Sequence, residues 1–231
     1  GSRNESDPPT VKICRGVVFA DNKVVDGVDM VLGGAFANWI PCRFEATGVE
    51  FRGNTATCAS KSAGYDTSLA LGGALAFTGD AKAVLVDTCV FNGNDVFAGA
   101  GNWRYGGAIG MVNVTSAVLK NSTFRNSTAE ALALLGSTVG VTNCGIVGNG
   151  AGLGADGGAL DVWIEQSTVD IAYSAYGNVE GLGAGPLTWL EHGNLAGCVP
   201  DKVYAGETLR LNENGFNPVA ALGITQDTFD F

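Results

Sequence analysis

The clearest pattern of apolar and polar residues is an eight-residue stretch that recurs without gaps over 84–91, 117–124 and 139–146. Each copy ends on a large apolar residue, which is Phe91, Phe124 or Ile146. A further apolar residue stands five positions before that end, so strict alternation breaks in the middle of the copy. Each copy therefore predicts two short strands joined by a bend, with the end residue facing inward.

The remaining positions of this pattern also have predicted places. The residues two positions before the end are expected to face inward with it, and they are Cys89, Ser122 and Cys144. The polar residues near the middle are expected to lie at the bend or to face solvent, and they are Asp87, Asn121 and Asn143. The pattern as a whole is typical of short strands that bury one side.

Two short motifs bracket the pattern and recur along the chain. One is Gly-Gly-Ala followed by an apolar residue, with its glycine pairs at Gly33-Gly34, Gly72-Gly73, Gly106-Gly107 and Gly157-Gly158. The other is Phe or Ile followed three residues later by a short polar residue: Phe19…Asn22, Phe51…Asn54, Phe91…Asn94, Phe124…Ser127 and Ile146…Asn149. The first three glycine motifs precede the next Phe by 18, 19 and 18 residues. Such regular offsets indicate an internal repeat.

The repeat predicts layers that stack on one another. Stacking would bring Asn22, Asn54, Asn94 and Asn149 together, so that their side-chain amides bond from layer to layer. Glycine pairs suit tight corners where the backbones of successive layers approach closely. Asn and Gly also tolerate the left-handed backbone conformation that such turns require.

The interleaved Gly-Gly-Ala-apolar and Phe-x-x-Asn tetrads resemble the repeats of the polymorphic outer membrane protein family, best known from chlamydial surface adhesins. The resemblance covers roughly residues 16–160. It implies an all-β fold, a right-handed parallel β-helix (solenoid), and adhesion as the activity. Ser127 and Ile146 depart from the Phe-x-x-Asn pattern of that family.

Three regions are predicted along the chain. Residues 1–10 are a polar leader in which Gly1-Ser2 resembles a cloning remnant, and residues 11–186 form the β-helix. Residues 187–231 lack the glycine motif and are expected to cap the open end of the stack, because solenoids need atypical terminal segments.

Two loops are predicted between the layers. Thr55 to Ser68 is polar, and Phe97 to Tyr105 is an excursion with Trp103, Arg104 and Tyr105 at its tip. These three residues are a candidate binding loop, since loops on a rigid scaffold often carry function. The alternative is that the aromatic rings fold back onto the side of the stack.

Composition narrows the choice of partners. The chain has 231 residues, 35 of them glycine, and a net charge of -10. Nucleic acid and anionic membranes require basic patches, so neither is an expected partner. No apolar stretch is long enough for membrane insertion. An acidic surface could bind a divalent cation such as Ca²⁺, and no other cofactor is expected.

The cysteines and glycosylation motifs favour an extracellular setting. An even number of cysteines suggests disulfides, and the six are Cys14, Cys42, Cys58, Cys89, Cys144 and Cys198. Cys89 and Cys144 would lie two layers apart, roughly 9.6 Å, which is too far for a bond between them. Buried free thiols are the alternative. The repeat region contains three Asn-x-Ser/Thr acceptors, at Asn113, Asn121 and Asn126.

Residues for catalysis are sparse. His192 is the one histidine, and no spaced pair is evident among the acids Asp80, Asp87, Asp156, Asp161 and Asp170. We therefore expect a non-catalytic, secreted or cell-surface protein that acts in adhesion or as a structural component of an extracellular coat. Its partner would be another protein or a surface glycan, with self-association as a further possibility. The alternative is a carbohydrate-active enzyme, such as a polysaccharide lyase, glycosidase or epimerase, on the same fold.

Overall fold

A computed structural model describes residues 8–26, 30–38, 40–58, 68–99, 103–151, 153, 160–181 and 188–192. In this part of the chain all regular structure is β-strand, and every pair of neighbouring strands is parallel. The strands form five sheets, which we name A to E. Sheets A, B and E have seven, six and six strands, whereas sheets C and D have three each. The all-β prediction is confirmed, and the parallel sheets are compatible with a β-helix or solenoid.

Consecutive strands along the chain belong to different sheets. We use the name "rung" for a set of consecutive strands that contains at most one strand of each sheet. Rung 1 comprises β1 (Thr10–Ile13), β2 (Val18–Ala20), β3 (Lys23–Asp26), β4 (Met30–Leu32) and β5 (Phe36–Ala37). Rung 2 comprises β6 (Cys42–Thr47), β7 (Glu50–Arg52), β8 (Thr55–Cys58), β9 (Leu69–Leu71) and β10 (Leu75–Phe77). Rung 3 comprises β11 (Ala81–Asp87), β12 (Val90–Asn92), β13 (Asp95–Ala98), β14 (Trp103–Tyr105) and β15 (Ile109–Val112). Each of these three rungs contributes one strand to every sheet, in the order A, B, C, D and E along the chain.

The later rungs are narrower, because their described strands belong only to sheets A, B and E. Rung 4 comprises β16 (Ala117–Lys120), β17 (Thr123–Arg125) and β18 (Leu132–Leu135). Rung 5 comprises β19 (Thr138–Thr142), β20 (Gly145–Ile146) and β21 (Val162–Glu165). Rung 6 comprises β22 (Thr168–Ala172), β23 (Ala175–Tyr176) and β24 (Val179–Gly181), and β25 (Thr188–His192) begins the next.

The core is organised around the predicted column of aromatic residues in sheet B. Phe19, Phe51, Phe91 and Phe124 pair in register from rung to rung. Their rings stack nearly parallel, with centroids 5.2, 4.8 and 4.8 Å apart. Ile146 continues the column after Phe124. The register predicted from the repeat is confirmed, since one residue per rung occupies the same buried place.

The predicted asparagine ladder is present from Asn22 to Asn94, but it does not reach Asn149, which accepts the N–H of Ser127 in rung 4 instead. Asn22 Nδ2 donates to Asn54 Oδ1 at 2.8 Å, and Asn54 Nδ2 donates to Asn94 Oδ1 at 2.8 Å. Asn54 and Asn94 also donate to the carbonyl of the aromatic residue one rung earlier, to Phe19 O at 2.9 Å and Phe51 O at 2.8 Å. Asn149 is bonded in the same way to Phe124 O at 3.1 Å. Buried backbone and amide groups thereby satisfy one another between rungs.

The glycine pairs lie at tight corners, as predicted. Gly33, Gly72 and Gly106 have φ angles of 57°, 67° and 72°, which glycine adopts without strain. A Cβ on the second glycine of a pair would meet the next rung, because at Gly73 it would lie 2.2 Å from the carbonyl oxygen of Gly107. Only a residue without a side chain permits this approach.

The fourth glycine motif does not keep the register of the others. Phe36, Leu75 and Ile109 pair in sheet E, and the same column continues through Leu132 to Val162 rather than to Leu160. Leu160 instead bonds through its N–H to Gly150 O at 3.0 Å. Gly157 and Gly158 lie outside the described residues. The sequence of the motif recurs at residues 157–160, but the residue that pairs in sheet E is Val162, two positions after Leu160.

Both loop predictions are wrong in part, because each contains strands. Thr55–Cys58 is β8, in which Ala56 and Cys58 are buried while the threonines alternate outward. Trp103–Tyr105 is β14, paired in register with Leu69–Leu71. These strands could not be recognised in the sequence, because polar or glycine-rich residues flank them. Their stability comes from pairing with the neighbouring rungs rather than from their own composition. Residues 59–67 and 100–102 lie outside the described part.

No disulfide joins the cysteines in the part of the chain that the structure describes. Cys89 and Cys144 are buried thiols that contact backbone carbonyls, with Cys89 Sγ 3.2 Å from Asp87 O and Cys144 Sγ 3.3 Å from Thr142 O. Burial raises the pKa of Cys89 to about 11 and that of Cys144 to about 12. Cys198 lies outside the described residues.

The predicted cap begins with a strand that still belongs to the stack, because Thr188–His192 pairs in parallel with β22 as the seventh strand of sheet A. The cap from residue 193 onward lies outside the described residues. Over the described ranges, the structure contains no helix with the length and apolar character needed to cross a membrane.

Candidate binding site

The most distinctive surface of the molecule is a step between the wide and narrow rungs. Sheets C and D stop at β13 and β14, which are therefore edge strands, whereas sheets A, B and E continue into rung 4. The segment 126–131, which connects β17 to β18, contacts this edge. We use the name "the step" for β13, β14 and residues 126–131. An exposed edge strand presents unpaired N–H groups, so the groups that cover β13 and β14 need to be identified.

Asp95 covers the edge of sheet C. Its backbone N–H donates to Asn54 O at 2.8 Å on the side of rung 2, and its own carboxylate accepts the N–H of Val96 at 2.8 Å. The Thr128 hydroxyl also donates to this carboxylate. Burial raises the pKa of Asp95, while these hydrogen bonds and the Arg104 charge oppose the rise. The carboxylate thus supplies acceptors where a further strand is missing.

Glu130 does the same for sheet D. In the two earlier rungs the first glycine N–H of the motif donates to a backbone carbonyl, Gly33 to Leu71 O and Gly72 to Tyr105 O, each at 2.9 Å. At Gly106 no such strand follows, and the N–H donates to Glu130 Oε1 at 2.9 Å. The side chain of Glu130 is only 4% exposed. Burial raises its pKa to about 7, against the opposing effects of the Gly106 N–H and the Arg104 charge.

Apolar cover completes the protected edge. A small cluster of buried residues fills the space next to sheets C and D, comprising Val31, Ala56, Cys58, Ala70, Val96 and Ala129. Leu153, from the connection that follows β20, packs against this cluster. The step is therefore a finished surface, in which side chains replace the hydrogen bonds and contacts of the missing strands.

An aromatic row runs along the outer side of the step. Trp103 and Tyr105 lie on the same face of β14 with ring centroids 5.8 Å apart, and Trp163 of β21 lies 6.3 Å beyond Tyr105. Trp103 is 51% exposed, whereas Tyr105 is buried among apolar residues of sheets D and E. Burial raises the pKa of Tyr105 to about 12, and the nearby Glu165 and Glu130 charges add to the rise. Tyr105 is therefore neutral and holds the row in place.

The structure thus brings the three residues of the predicted binding loop together, but on a strand. Because side chains alternate along a strand, Arg104 points to the face opposite Trp103 and Tyr105. On that face its charge acts on both Asp95 and Glu130. A half-exposed indole beside the buried Tyr105 ring and the half-buried Trp163 ring, with Glu165 near Tyr105, is a surface suited to ligand binding rather than to proton transfer.

Other candidate residues lie outside the step, although Asp161 O accepts the N–H of Ala131 at 2.9 Å. Asp87 bonds to Lys120 at 3.2 Å and accepts from Asn121 Nδ2 at 2.9 Å on sheet A. Asp161 is buried and accepts both the N–H and Nδ2 of Asn149, each at 2.9 Å. Asp156 lies outside the described residues. Within the described ranges no three His, Cys, Asp or Glu side chains are grouped to hold a metal ion.

The three glycosylation candidates differ in accessibility. Asn113 and Asn126 are exposed, and both have positive φ angles, of 57° and 58°. Asn121 is buried, donates to Asp87, and accepts from Asn143 Nδ2 at 3.0 Å. Asn126 Nδ2 also donates, to Asn92 Oδ1 at 2.8 Å, but at the surface, so the exposed acceptors are Asn113 and Asn126.

Sequence reasoning missed Asp95 and Glu130, although one signal for Glu130 was present. The residues Ala129-Glu130-Ala131-Leu132 take the place of a Gly-Gly-Ala-apolar motif in rung 4, because Ala108 N donates to Ala131 O and Ile109 pairs with Leu132. Glu130 thus replaces a glycine at a backbone corner. A charged residue in a position that otherwise needs glycine indicates a special environment.

Comparison with known proteins adds no further constraint on the chemistry of this site. No protein-family model matches the chain, and no curated protein or solved structure matches it.

Proposed function

We propose that this protein is a non-catalytic right-handed parallel β-helix, secreted or displayed at the cell surface, that acts in adhesion or as part of an extracellular coat. The right hand follows from the general preference for right-handed crossovers between parallel strands. The similarity of its tetrads to those of the polymorphic outer membrane protein family supports the surface location. The exposed glycosylation candidates, Asn113 and Asn126, agree with that location.

The aromatic row carries the proposal of binding. Trp103 offers an exposed indole face and packs against Tyr105, whose own ring lies against Trp163. A rigid aromatic surface with a few polar groups nearby is the usual composition of a ligand site. We therefore propose that a glycan or an extended segment of another protein packs against Trp103. Glu165 would accept hydrogen bonds from such a ligand.

The hydrogen bonds of the buried acidic side chains support a non-catalytic role. Asp95, Glu130 and Asp161 are each buried and each accept backbone N–H groups of the fold. A carboxylate that is committed to such bonds does not reach a substrate without breaking them. Their raised pKa values follow from burial in the scaffold.

The test is a binding screen against neutral and acidic oligosaccharides and extended peptides, followed by titration calorimetry. Trp103→Ala should weaken binding of the selected ligand at least about tenfold, which corresponds to the loss of roughly 1.4 kcal/mol. Phe97→Ala is the matched control, because Phe97 is 47% exposed on the adjacent edge strand but is outside the aromatic row. Equal losses for both variants, or no loss for Trp103→Ala, would contradict the assignment of the site.

A second candidate function, a carbohydrate-active enzyme, is favoured by one observation. Asp95 and Glu130 are two acids with raised pKa values that share the influence of Arg104. Glycosidases use a carboxyl pair in which one acid has a raised pKa. Incubation with polysaccharides should release no reducing ends or unsaturated products. Release that Glu130→Gln or Asp95→Asn abolishes would establish this second function instead.

A further inference from the structure

The outer faces of sheets D and E pack against each other where the two sheets join. Alternation along the strands directs Leu71 and Tyr105 of sheet D away from the cluster that lies between sheets C and D. On this outer side they form a separate buried cluster with Ala76 and Ala133 of sheet E. The approach is so close that a Cβ on Gly110 would lie 2.3 Å from Leu71 Cδ1. The two faces therefore form a re-entrant angle that runs along the stack.

The sides of this angle are lined by apolar residues that remain partly or largely exposed. They come from five successive rungs and are Met30, Leu69, Trp103, Val112, Leu135 and Trp163. We use the name "the corner" for the surface that these six residues line. Sugar hydroxyl groups would lose water against such side chains without gaining hydrogen bonds. Apolar side chains of an extended peptide gain free energy from the same burial, so the lining favours a peptide over a glycan.

The charge of the corner is confined to one end. In the described strands of sheets D and E the charged residues are Arg104, Glu165 and Glu180, and Arg104 lies on the opposite face of β14. Glu165 pairs in register with Leu135, and Glu180 with Trp163, so both carboxylates follow the apolar lining. Residues 160–181 contain four acidic residues and no lysine or arginine. A cationic group is attracted to this end of the corner, and an anionic group is repelled.

From these observations we infer that the corner binds an extended segment of another protein that carries a lysine or arginine side chain. This inference rests on the proposed function, because it names the partner of the aromatic row. Apolar side chains of the segment pack against Leu69 and Trp103. The cation lies beside Glu165 and over the indole of Trp163, where both the carboxylate and the ring attract it.

The rung spacing sets the pattern that such a segment needs. Trp103 belongs to rung 3 and Glu165 to rung 5, so they are separated by roughly 9.6 Å along the stack. An extended chain covers this distance in about three residues. The partner therefore carries its basic residue about three positions from an apolar or aromatic residue, and the acidic end of the corner fixes its direction.

The experiment is selection of random linear peptides from a display library against the full chain, followed by calorimetric titration of the selected peptides. Their sequences should share a lysine or arginine about three positions from a large apolar residue. Trp103→Ala and Glu165→Lys should each weaken binding at least about tenfold, the first by removing the apolar contact and the second by repelling the cation. Binding should also weaken as salt is added.

Asp170→Lys is the matched control, because it reverses the same charge at an exposed position of β22 in sheet A, outside the corner. It should change the Kd by less than about twofold. Equal losses for Glu165→Lys and Asp170→Lys would overturn the inference, since the net charge of the chain would then explain both. Unchanged far-ultraviolet circular dichroism of all three variants separates lost binding from lost folding.

Two other outcomes would also overturn the inference. One is a selection that yields no binding peptide, and the other is a set of peptides that lack a basic residue. Neutral oligosaccharides are titrated in parallel. If such an oligosaccharide binds the wild-type chain and not Trp103→Ala, while no peptide binds, the proposed ligand site is confirmed and the peptide partner is wrong. The proposed function and this inference therefore fail separately.

Discussion

Glu130 Oε1 accepts the backbone N–H of Gly106 at 2.9 Å, in the position where a backbone carbonyl serves the same motif in the two preceding rungs. A side chain has thus taken over a main-chain role at the point where sheet D ends. Using a side chain in place of a main-chain acceptor has a cost in free energy, because the carboxylate of Glu130 must lie almost fully buried. This one contact links the shape of the stack to its dependence on pH.

We predict that the protein is more stable in mild acid than at neutral pH. Burial raises the folded-state pKa of Glu130 from 4.5 to about 7, so the folded chain binds more protons than the unfolded chain between these values. Stability contributed by this group is therefore greatest below pH 4.5 and falls as pH rises toward 7, by roughly 3 kcal/mol. The raised pKa values of Asp95 and Asp161 act in the same direction.

Urea unfolding at a series of pH values measures this effect. Glu130→Gln should flatten the profile, since its amide oxygen still accepts from Gly106 but does not titrate. Asp80→Asn, at an exposed position, should leave the slope as it is. A stability that rises between pH 4.5 and 7 would contradict the prediction.

The asparagine ladder predicts unequal effects along its length. Asn54 is fully buried and joins Asn22, Asn94 and Phe19 O, so Asn54→Ala leaves several buried groups without partners. The expected loss is about 2–4 kcal/mol in the free energy of unfolding. Asn22→Ala, at the exposed end of the ladder, should cost about 1 kcal/mol or less. Chemical denaturation of both variants checks the difference, and a larger loss at Asn22 would argue against the ladder.

The glycine corners predict a steric limit on the spacing of rungs. Gly73→Ala would place a Cβ 2.2 Å from Gly107 O and 2.4 Å from Asp95 O, which are backbone atoms that cannot turn aside. We expect destabilisation of about 3 kcal/mol or more. Gly140→Ala is the comparison, because its Cβ would meet only Ala117 O at 3.9 Å. Melting temperatures should fall for the first variant alone, and a similar fall for both would refute the close approach.

The cysteines predict a clear order of chemical modification. Cys14 is exposed, whereas Cys89 and Cys144 are buried with pKa values raised to about 11 and 12. Because the thiolate is the reactive form, iodoacetamide at pH 8 should label Cys14 in the native protein. Cys89 and Cys144 should be labelled only after unfolding. Peptide mass spectrometry resolves the sites, and rapid native labelling of Cys144 would contradict its buried position.

The parts of the fold that repeat at constant spacing could be predicted from the sequence. Phe51, Phe91 and Phe124 each follow a Gly-Gly-Ala motif by 18 or 19 residues and occupy the same buried environment, so their residue type indicates their contacts directly. The same holds for Asn54 and Asn94. At these positions the residue in the next rung is of the same type, so the sequence pattern is sufficient to predict the contact.

The parts that depend on what is missing from a neighbouring rung could not be predicted. Trp103–Tyr105 is a strand because Leu69–Leu71 lies beside it, and nothing in its own three letters indicates this. From the sequence alone, Glu130 looks like a place where the glycine motif has been lost. Its role becomes clear only because sheet D ends there and the N–H of Gly106 donates to its carboxylate. Leu160 carries the letters of the motif, while Val162 takes the paired position. In each case the environment, not the residue, decides the role.

The two bonds between amides of the asparagine ladder run in the same direction. Asn22 Nδ2 donates to Asn54 Oδ1, and Asn54 Nδ2 donates to Asn94 Oδ1, so each donor lies in the earlier rung and each acceptor in the later one. The row is therefore a line of aligned dipoles that runs along the stack, with its oxygen ends toward the first rung. In rung 5, after Ser127 takes the place of an asparagine in rung 4, Asn149 Nδ2 donates to the carboxylate of Asp161, which has only acceptor atoms when it is ionised. The row has a direction as well as a length, so a reversed rung could not be inserted into it without leaving two donors or two acceptors face to face.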